Sequence, residues 1–302
     1  MTDRLVPARE LGRTGVTVPL IGYGTAPLGA KEISSQDASR CLNHAIDRGV
    51  TYLDTSPDYG SEPKVGEVMR QRRDEVFLAT KVNRRSKLGV LAELRESLGR
   101  LRTDHVDLIQ VHAVNAWSDL EQTFAPDGCL AALEEARREG MTRFIGITGH
   151  ARPEILAEAL RRYRFDTVLV ALGMVDRLVT RPERFLLPLA VERGVGVIAM
   201  KVFGSGALKD RDLALRYSLG LPGVSLAILG MKSVQEIDQN VGLVVPFHAL
   251  DEAELKRLID LVRPIVQTDA EEAETGHSRL FWLHDTSVTG WVHNDEPAVV
   301  AY

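Results

Sequence analysis

A regular alternation of two kinds of segment along the chain is the feature that most constrains its fold. Short apolar, β-branched runs typical of buried strands alternate with longer amphipathic segments that have helical periodicity. The predicted strands cover residues 20–24, 51–54, 76–81, 106–112, 143–148, 167–172, 196–200 and 224–229. The predicted helices cover residues 35–48, 63–71, 90–101, 129–139, 153–163, 184–192 and 210–219, and a further amphipathic segment covers 251–267.

This alternation predicts parallel strands, because each helix returns the chain to the same end of the sheet. Eight such units in 302 residues favour an α/β fold in which residues 1–302 form a single (β/α)₈ TIM barrel domain. An open doubly wound sheet is the alternative. The stretch ELGRTGVTVPL alternates around Thr14 and Gly15, which predicts an N-terminal β-hairpin that plugs the barrel bottom. Residues 268–302 are predicted to form a C-terminal tail.

Composition excludes several classes of function. The formal net charge is −5 and the basic residues are scattered, so no nucleic-acid partner is expected. The start of the chain, MTDRLVPARE, lacks a signal-peptide pattern, and no apolar run approaches membrane-spanning length, which predicts a cytoplasmic protein without a membrane partner. Cys41 and Cys129 are expected to be buried free thiols. The histidines lack metal-binding spacing, so no metal site is expected.

Ionisable or polar residues follow three consecutive predicted strands. Strand two ends at Asp54 with Tyr59 in its loop, strand three ends at Lys81, and strand four ends at His112. In a barrel these ends share one rim, where active sites lie. A buried lysine requires a partner, which Asp54 can provide, and its cation should lower the phenol pKa of Tyr59 from the usual value of about 10. With His112 orienting the substrate oxygen, the set fits protonation of a carbonyl oxygen while hydride reaches its carbon.

Other interpretations of these residues remain open. An Asp–Lys pair across two strands is often a structural ion pair, and a single strand-end histidine is often a core residue; four such groups at one rim favour catalysis. A metal-dependent barrel hydrolase or lyase would use Asp54, Lys81 and His112 differently. A third alternative is a catalytically weak, nucleotide-sensing binding protein of the same fold.

These residues carry a resemblance to the aldo-keto reductase family, from about Glu10 to Asn240. LGRTGVTVPLIGYGT resembles the opening hairpin and first strand of the family. LDTSPDYGSEPKVGEVM resembles its Asp-and-Tyr signature, LATKV its lysine strand and DHVDLIQVH its histidine strand, while RFIGIT and AILGMKSVQEIDQN resemble its later cofactor segments. The resemblance implies a (β/α)₈ barrel, nicotinamide-dependent carbonyl reduction, and a catalytic tetrad of Asp54, Tyr59, Lys81 and His112 with the tyrosine as general acid.

The resemblance also implies a cofactor-binding surface, whose phosphate-binding part lies in two loops. The loop KVFGSGALK after strand seven is expected to bind the pyrophosphate, and the segment GMKSVQEIDQN after strand eight the adenosine end. Lys232 favours a 2′-phosphate, whereas Glu236, where the family often has Gln or Arg, could accept a bond from a free 2′-hydroxyl. NADP(H) is therefore favoured, with NAD(H) as the alternative. The cofactor residues expected in these two loops and beside the nicotinamide ribose are Gly24, Thr25, Lys201, Phe203, Gly204, Gly206, Lys209, Gly230, Lys232, Glu236, Gln239 and Asn240.

The expected nicotinamide pocket departs from the usual family pattern. Thr148 and Gly149 replace a Ser-Asn pair, and Met200 replaces the aromatic residue expected to stack on the nicotinamide, with His150 as a further candidate contact. These features resemble a bacterial branch of the family whose members often carry a cysteine-rich iron–sulfur tail. This chain has two cysteines, so no cluster is expected.

The substrate is expected to be a small carbonyl compound, or an alcohol or sugar in the reverse direction. Tyr59, His112 and Trp117, the last of these in the loop after strand four, are the candidate substrate contacts. The tail 268–302 carries Phe281, Trp282, Trp291, His284 and His293. Such an aromatic tail either covers the barrel mouth or packs against the outside. No oligomeric state is assigned from the sequence.

Overall fold

Eight parallel strands form a closed barrel in the computed structural model of the chain, which describes residues 6–273, 278 and 280–283. A hairpin of β1 (Ala8–Glu10) and β2 (Thr17–Pro19) precedes it. The barrel strands are β3 (Ile21–Gly24), β4 (Tyr52–Asp54), β5 (Phe77–Val82), β6 (Val106–Val111), β7 (Thr142–Gly149), β8 (Thr167–Ala171), β9 (Gly196–Met200) and β10 (Val224–Gly230). β10 pairs with β3 and closes the ring. The predicted barrel is confirmed, and the open sheet is excluded.

The helices surround the barrel and follow the predicted pattern closely. They are α1 (Ser35–Asp47), α2 (Glu62–Arg72), α3 (Lys87–Leu101), α4 (Trp117–Phe124), α5 (Cys129–Arg138), α6 (Pro153–Arg162), α7 (Met174–Val179), α8 (Leu186–Glu192), α9 (Arg211–Gly220), α10 (Val234–Val244) and α11 (Glu252–Ala273). Helices α4, α7 and α10 were not predicted. The short α4 and α7 each begin just after a strand-end loop, where Asp119 and Asp176 accept hydrogen bonds from backbone N–H groups at the helix start.

The barrel interior is apolar in its central layers and polar at the carboxyl ends of the strands. Tyr52 stacks on Phe77 with ring centroids 5.0 Å apart, and Phe77 stacks on Phe144 at 6.2 Å. Burying each such side chain contributes about 1.5–3 kcal/mol. Because strand side chains alternate between faces, Asp54, two residues after Tyr52, faces the same interior one layer higher. The apolar floor therefore supports a polar layer at the carboxyl ends of the strands.

The N-terminal hairpin closes the amino end of the barrel. Leu11 is fully buried with the interior residues of the barrel. Gly12 has φ +51°, and a Cβ there would lie 2.2 Å from the backbone nitrogen of Gly196, so only glycine permits this approach. The Arg13 guanidinium donates to the carbonyl oxygens of Arg164, Phe165 and Arg193 at 2.6–2.8 Å. These bonds fix the hairpin to two loops that precede barrel strands, and the predicted hairpin is confirmed.

The C-terminal part packs beside the barrel at α7 and α9. Helix α11 continues beyond the predicted end at residue 267 and finishes at Ala273. Leu280 and Trp282 are buried in a cluster that also contains Leu258 and Val262 of α11. Residues 284–302, with His284, Trp291 and His293 of the predicted tail, lie outside the described residues. No helix in the described part of the chain has the length and apolarity needed to cross a membrane.

Candidate active site

Four ionisable side chains from three neighbouring strand ends meet at the barrel rim. Lys81 Nζ donates to Asp54 Oδ1 at 2.5 Å and to the Thr55 carbonyl at 2.8 Å, and only 1% of the lysine is exposed. The same Nζ lies 4.7 Å from the centroid of the Tyr59 ring. The rings of Tyr59 and His112 meet edge to face at 6.2 Å. The structure thus brings together the four residues that the sequence placed at one rim.

The loop that carries Tyr59 is fixed by close backbone contacts and buried hydroxyls. Tyr59 ends a 3₁₀ turn, Pro57–Tyr59, and a Cβ on Gly29 would lie 1.6 Å from its carbonyl oxygen. Ser61 Oγ hydrogen-bonds with Thr25 Oγ1 at 2.9 Å and with Thr55 Oγ1 at 3.1 Å. Thr25, an expected cofactor contact, is therefore fully buried beneath this loop and supports it with its side chain.

The pKa of the Tyr59 phenol is shifted in the direction opposite to the one that the sequence predicted. Burial, followed by the charges of Asp54 and Asp58, raises the pKa of the Tyr59 phenol well above its usual value of 10.0, although part of the residue remains exposed. The prediction that Lys81 lowers this pKa was wrong. The ammonium is neutralised by its short bond to Asp54, so the phenol experiences an ion pair rather than a free cation.

His112 is held as a neutral ring. Burial lowers its pKa well below 6.5, and the cations of Lys81, Arg85 and Lys201 lower it further. Its Nδ1 lies 2.6 Å from Asn83 Oδ1. The ring is therefore a hydrogen-bonding group rather than a cation at neutral pH.

The surroundings of the ends of β7 to β9 are largely apolar. Leu169 and Met200 belong with the apolar residues of the barrel interior. Thr148 Oγ1 is buried without a hydrogen-bond partner in the part of the chain that the structure describes. The His150 backbone N–H donates to Asn115 Oδ1 at 2.9 Å, and burial lowers the pKa of the His150 ring well below 6.5.

The loop after β9 has an unusual backbone and a partly buried lysine. Lys201 has φ +58°, Gly204 +55° and Gly206 +89°, so this loop turns repeatedly through the left-handed region. Burial lowers the pKa of Lys201 to about 8. Its Nζ lies 4.8 Å from the centroid of the Phe281 ring and 5.6 Å from that of Trp282. A side chain added at Gly206 would meet nothing within 4 Å, which indicates open space above the loop.

Other expected phosphate contacts already have partners within the protein. Lys209 Nζ donates to the Gly206 carbonyl at 3.0 Å. Glu236 Oε2 accepts from the Lys232 backbone N–H at 2.8 Å, while the Glu236 N–H donates to Ser233 Oγ at 3.2 Å. Ser233 thus caps α10 through the Glu236 N–H, and the Glu236 carboxylate binds the N–H of the residue before the cap. Glu236 therefore has a structural use that the sequence analysis overlooked.

Glycines and an asparagine complete the surface near β3 and β10. Gly24 is buried and pairs with Gly230, and a Cβ on Gly24 would lie 2.8 Å from Ile228, so a larger side chain does not fit there. Asn240 is fully buried, and its Oδ1 accepts from Arg211 Nη2 at 2.6 Å. Its Nδ2 has no partner among the described residues. Gln239 and the Lys232 side chain are exposed.

Comparison with known proteins decides the family. A model described as the aldo/keto reductase family matches residues 20–213, more than half of the chain. The chain belongs to the aldo/keto reductase family. It is 29% identical to L-galactose dehydrogenase of Arabidopsis thaliana, over 86% of this chain and 95% of that protein. It is 30% identical to D-threo-aldose 1-dehydrogenase of a Pseudomonas species, over 66% of this chain and 70% of that protein.

A solved structure agrees with the family assignment. Aldo-keto reductase AKR11C1 from Bacillus halodurans, in its holo form, superimposes with a TM-score of 0.73 at 27% identity, and covers 85% of this chain and 96% of its own. Aldo/keto reductases generally use nicotinamide cofactors, and the relatives named above are oxidoreductases. The chain is thus an oxidoreductase-type aldo/keto reductase with a TIM barrel.

Three polar residues of this aldo/keto reductase site were missed by the sequence analysis. Gln110 Nε2 donates to Asp54 Oδ2 at 3.0 Å, so Lys81 and Gln110 each bind one oxygen of the same carboxylate. Asn83 contacts His112, and Arg211 holds Asn240 while its guanidinium lies 4.6 Å from the centroid of the Phe203 ring. A signal did exist for Gln110, because it precedes His112 by two residues and must share its strand face.

Two further expectations concern the surroundings of this aldo/keto reductase site. Trp117 begins α4 after β6 and is 46% exposed, but it makes no ring contact with Tyr59 or His112 in the part of the chain described. Cys41 and Cys129 are buried free thiols, as expected. Among residues 6–273, 278 and 280–283, no three His, Cys, Asp or Glu side chains form a metal-binding group.

Proposed function

We propose that this protein is an NADP(H)-dependent oxidoreductase that interconverts a small aldehyde or ketone and its alcohol. The cluster of Asp54, Lys81, Tyr59 and His112 carries the proposal. A phenol beside a buried ion pair and a neutral imidazole can donate a proton to a carbonyl oxygen. Reduction of the carbonyl also requires a second reactant that supplies an electron pair to the carbonyl carbon. A bound nicotinamide cofactor supplies that pair as hydride in reduction and accepts it in oxidation.

Tyr59 is the proposed proton donor. In reduction, its phenol hydrogen moves to the carbonyl oxygen as hydride reaches the carbonyl carbon, and the phenolate then regains a proton from water. The raised pKa keeps the phenol protonated throughout the neutral range. An acid with a high pKa still protonates an oxygen that is becoming an alkoxide, and the adjacent Lys81–Asp54 pair provides the dipole that stabilises the transient phenolate.

The proposed cofactor surface runs from Thr148 across the loop after β9 to Arg211 and Lys232. The unpartnered Thr148 Oγ1 and Asn240 Nδ2 fit the amide of a nicotinamide and the polar edge of an adenine. Lys201 and Lys232 provide positive charge for phosphates. Because the Glu236 carboxylate is occupied at the start of α10, it no longer argues for NAD(H), and NADP(H) is favoured.

The proposed substrate class is a hydroxylated carbonyl compound or a sugar hemiacetal. Support comes from the two sugar dehydrogenases among the relatives, and from the tetrad, which catalyses both directions of one reaction. Trp117 on the rim is a proposed substrate contact, and residues 268–302 are proposed as a tail over the mouth of the single barrel domain. Trp282 Nε1, which donates to Asp176 Oδ1 at 3.0 Å beside Lys201, supports the tail proposal. The cytoplasmic location remains a prediction.

The test combines cofactor titration with a matched pair of variants. Purified protein is titrated with NADPH and NADH, then assayed with a panel of aldehydes, ketones and sugars for loss or gain of reduced cofactor. Tyr59→Phe should lower kcat by about 10²–10⁴-fold with little change in cofactor affinity. Tyr52→Phe is the control, because Tyr52 is buried in the same barrel and its hydroxyl has no partner among the described residues. Full activity of Tyr59→Phe would falsify the mechanism.

A nucleotide-sensing protein with slow turnover is the second candidate. The apolar side chains of Leu169 and Met200 favour it, because they offer a nicotinamide no hydrogen bonds. Tight NADPH binding without turnover of any panel compound would support this candidate over the first.

A further inference from the structure

The loop after β3 packs directly against the backbone of Tyr59. Its 3₁₀ turn, Ala26–Gly29, brings Gly29 so close that an added Cβ would lie 1.6 Å from the Tyr59 carbonyl oxygen. The contact continues at Gly60, where an added Cβ would lie 3.7 Å from the Gly29 carbonyl oxygen. Because the two backbones are in direct contact, a displacement of the loop also displaces the turn that carries the phenol.

A single lysine side chain holds this loop. Lys64, in the first turn of α2, donates from Nζ to three backbone carbonyl oxygens. The acceptors are Leu28 at 2.6 Å, Ala30 at 3.1 Å and Ile33 at 2.7 Å. An ammonium has three hydrogens, so these bonds use all of them. Two of the three acceptors flank Gly29, the residue that contacts Tyr59.

The start of the loop is fixed separately from the rest. The Thr25 N–H donates to the Asp54 carbonyl at 2.9 Å, and Thr25 Oγ1 hydrogen-bonds with Ser61 Oγ at 2.9 Å. These bonds fix the loop where it leaves β3. In the part of the chain that the structure describes, the hydrogen bonds that reach residues 26–33 from outside the loop come from Lys64. The position of Gly29 therefore depends on this lysine.

We propose that Lys64 is a positioning residue that holds the Tyr59 turn through Gly29, so that the phenol stays where it donates its proton to the substrate oxygen. This inference rests on the proposed function. The Lys64 ammonium is occupied by backbone carbonyls, so it affects proton transfer only through the backbone of Tyr59. Loss of Lys64 should therefore slow turnover with little change in cofactor affinity.

Kinetics of Lys64→Met test the effect on turnover. For one carbonyl compound that the enzyme reduces, kcat should fall about 10–100-fold while the Kd for NADPH stays within about twofold, because a displaced proton donor loses the reactive geometry. Lys64→Arg, whose guanidinium can still donate to several carbonyls, should recover most of the rate. A wild-type kcat in Lys64→Met contradicts the proposal.

Lys87→Met is the matched control. Lys87 also lies in the first turn of a helix, α3, but its Nζ forms an ion pair with Glu135 at 2.6 Å. Its removal should leave kcat unchanged. An equal loss of kcat in Lys87→Met would show that removal of any such lysine slows turnover, and it would overturn the role of Lys64.

A double-variant cycle separates positioning from general damage to the fold. In the Tyr59→Phe background the phenol is already absent, so Lys64→Met should cause no further loss of rate. Single-turnover measurements with excess enzyme detect the residual reaction. The same fold-loss in both backgrounds would show that Lys64 acts on the fold as a whole, and it would overturn the proposal.

Gly29→Ala reaches the same contact from the side of the loop. Its Cβ has to displace the Tyr59 carbonyl, so this variant should also lower kcat and should also have no further effect in Tyr59→Phe. It keeps the proposal testable if Lys64→Met does not fold. Unchanged kcat in Gly29→Ala contradicts the proposed link.

Amide hydrogen exchange tests the mechanical link without catalysis. The Leu28 N–H donates to the Thr25 carbonyl at 2.9 Å, and the Tyr59 N–H donates to the Ser56 carbonyl at 3.2 Å. Mass spectrometry of Lys64→Met should show faster exchange in residues 25–34 and also in residues 55–61, whereas Lys87→Met should show neither change. Unchanged exchange of residues 55–61 in Lys64→Met overturns the inference.

The two levels of proposal fail in different ways. Absence of turnover with every carbonyl and alcohol would contradict the proposed function, and hydrogen exchange would still decide whether Lys64 holds the Tyr59 turn. Normal turnover in Lys64→Met, with an active wild type, would contradict the role of Lys64 and leave the proposed function standing.

Discussion

The two halves of the barrel rim are built differently. On the half formed by β4, β5 and β6, the charged groups bind one another: both oxygens of Asp54 have donors, and Lys81 and His112 have fixed partners. At the ends of β7 to β9, Thr148 keeps a buried hydroxyl that no described residue satisfies, and the side chains of Leu169 and Met200 are apolar. Unsatisfied buried atoms also occur on the first half, at Gln110 Oε1 and Asp58 Oδ2, so the two halves differ in their charged groups. The first half is organised by the protein's own ion pair, as proton transfer requires. The second half, the ligand half, is the one proposed to bind the cofactor.

The largest expected effect comes from removing one partner of the buried Lys81–Asp54 ion pair, at the centre of the first half. Lys81→Met leaves the buried Asp54 carboxylate without its main partner, which should lower the free energy of unfolding by about 3–5 kcal/mol. The rate of turnover should fall by about 10²–10⁴-fold. Denaturant unfolding and steady-state kinetics measure the two losses.

The double variant Asp54→Leu with Lys81→Met separates stability from chemistry. Replacing both charges should restore most of the lost stability without restoring turnover. If the single variant is as stable as the wild type, Asp54 and Lys81 do not form the buried pair described here.

A smaller effect is expected at the second oxygen of Asp54. Gln110→Leu removes the Nε2 donor and should destabilise the fold by about 1–3 kcal/mol, because the carboxylate keeps one unsatisfied oxygen. Turnover should fall as well, because the carboxylate that holds Lys81 beside Tyr59 loses one of its two fixed hydrogen bonds. Gln122→Leu on α4 is a control for the amide substitution itself. A loss of stability without a loss of turnover would assign Gln110 a packing role only.

The smallest effect is expected on the ligand half. Lys201 is charged below its pKa of about 8 and neutral above it. If its ammonium binds a cofactor phosphate, the affinity for NADPH should fall as the pH rises through about 8. Lys201→Met should bind NADPH about tenfold more weakly at pH 7 and lose that pH dependence. Fluorescence titration measures both, and Lys209→Met should retain the pH dependence because Lys201 is intact.

If the affinity of Lys201→Met for NADPH still depends on pH, the comparison between the two halves does not hold as described. In that case the titrating group on the ligand half would have to be another residue, and Lys201 would serve the loop or the aromatic pair Phe281 and Trp282 instead.

The sequence predicted the parts of this molecule that depend on short-range patterns. Strand ends follow from β-branched runs, so Asp54, Lys81 and His112 could be placed at one rim before any distance was known. Their partners could not be assigned in this way. Gln110 meets Asp54 across 56 positions of sequence, and Asn83 meets His112 across 29. Such contacts depend on strand register, which sequence periodicity does not determine.

Charge explains one wrong prediction, and helix capping explains one omission. The phenol pKa of Tyr59 was predicted with the wrong sign because the sequence shows a nearby lysine but not that Asp54 neutralises it. Glu236 was interpreted only as a ligand contact, although Ser233 three residues before it caps its N–H and its carboxylate binds the Lys232 N–H. That local signal was present in the sequence and was overlooked.

The N-terminal hairpin at the amino end of the barrel also has a practical consequence for handling the protein. Arg13 and Gly12 hold the hairpin at the amino end of the strands, whereas Trp282 lies beside Lys201 at the opposite face. A tether or fusion partner joined ahead of the hairpin would therefore leave the barrel mouth facing outward. The same addition joined directly to Trp282 would stand beside the entrance, so the two attachment points differ in whether they leave the entrance open.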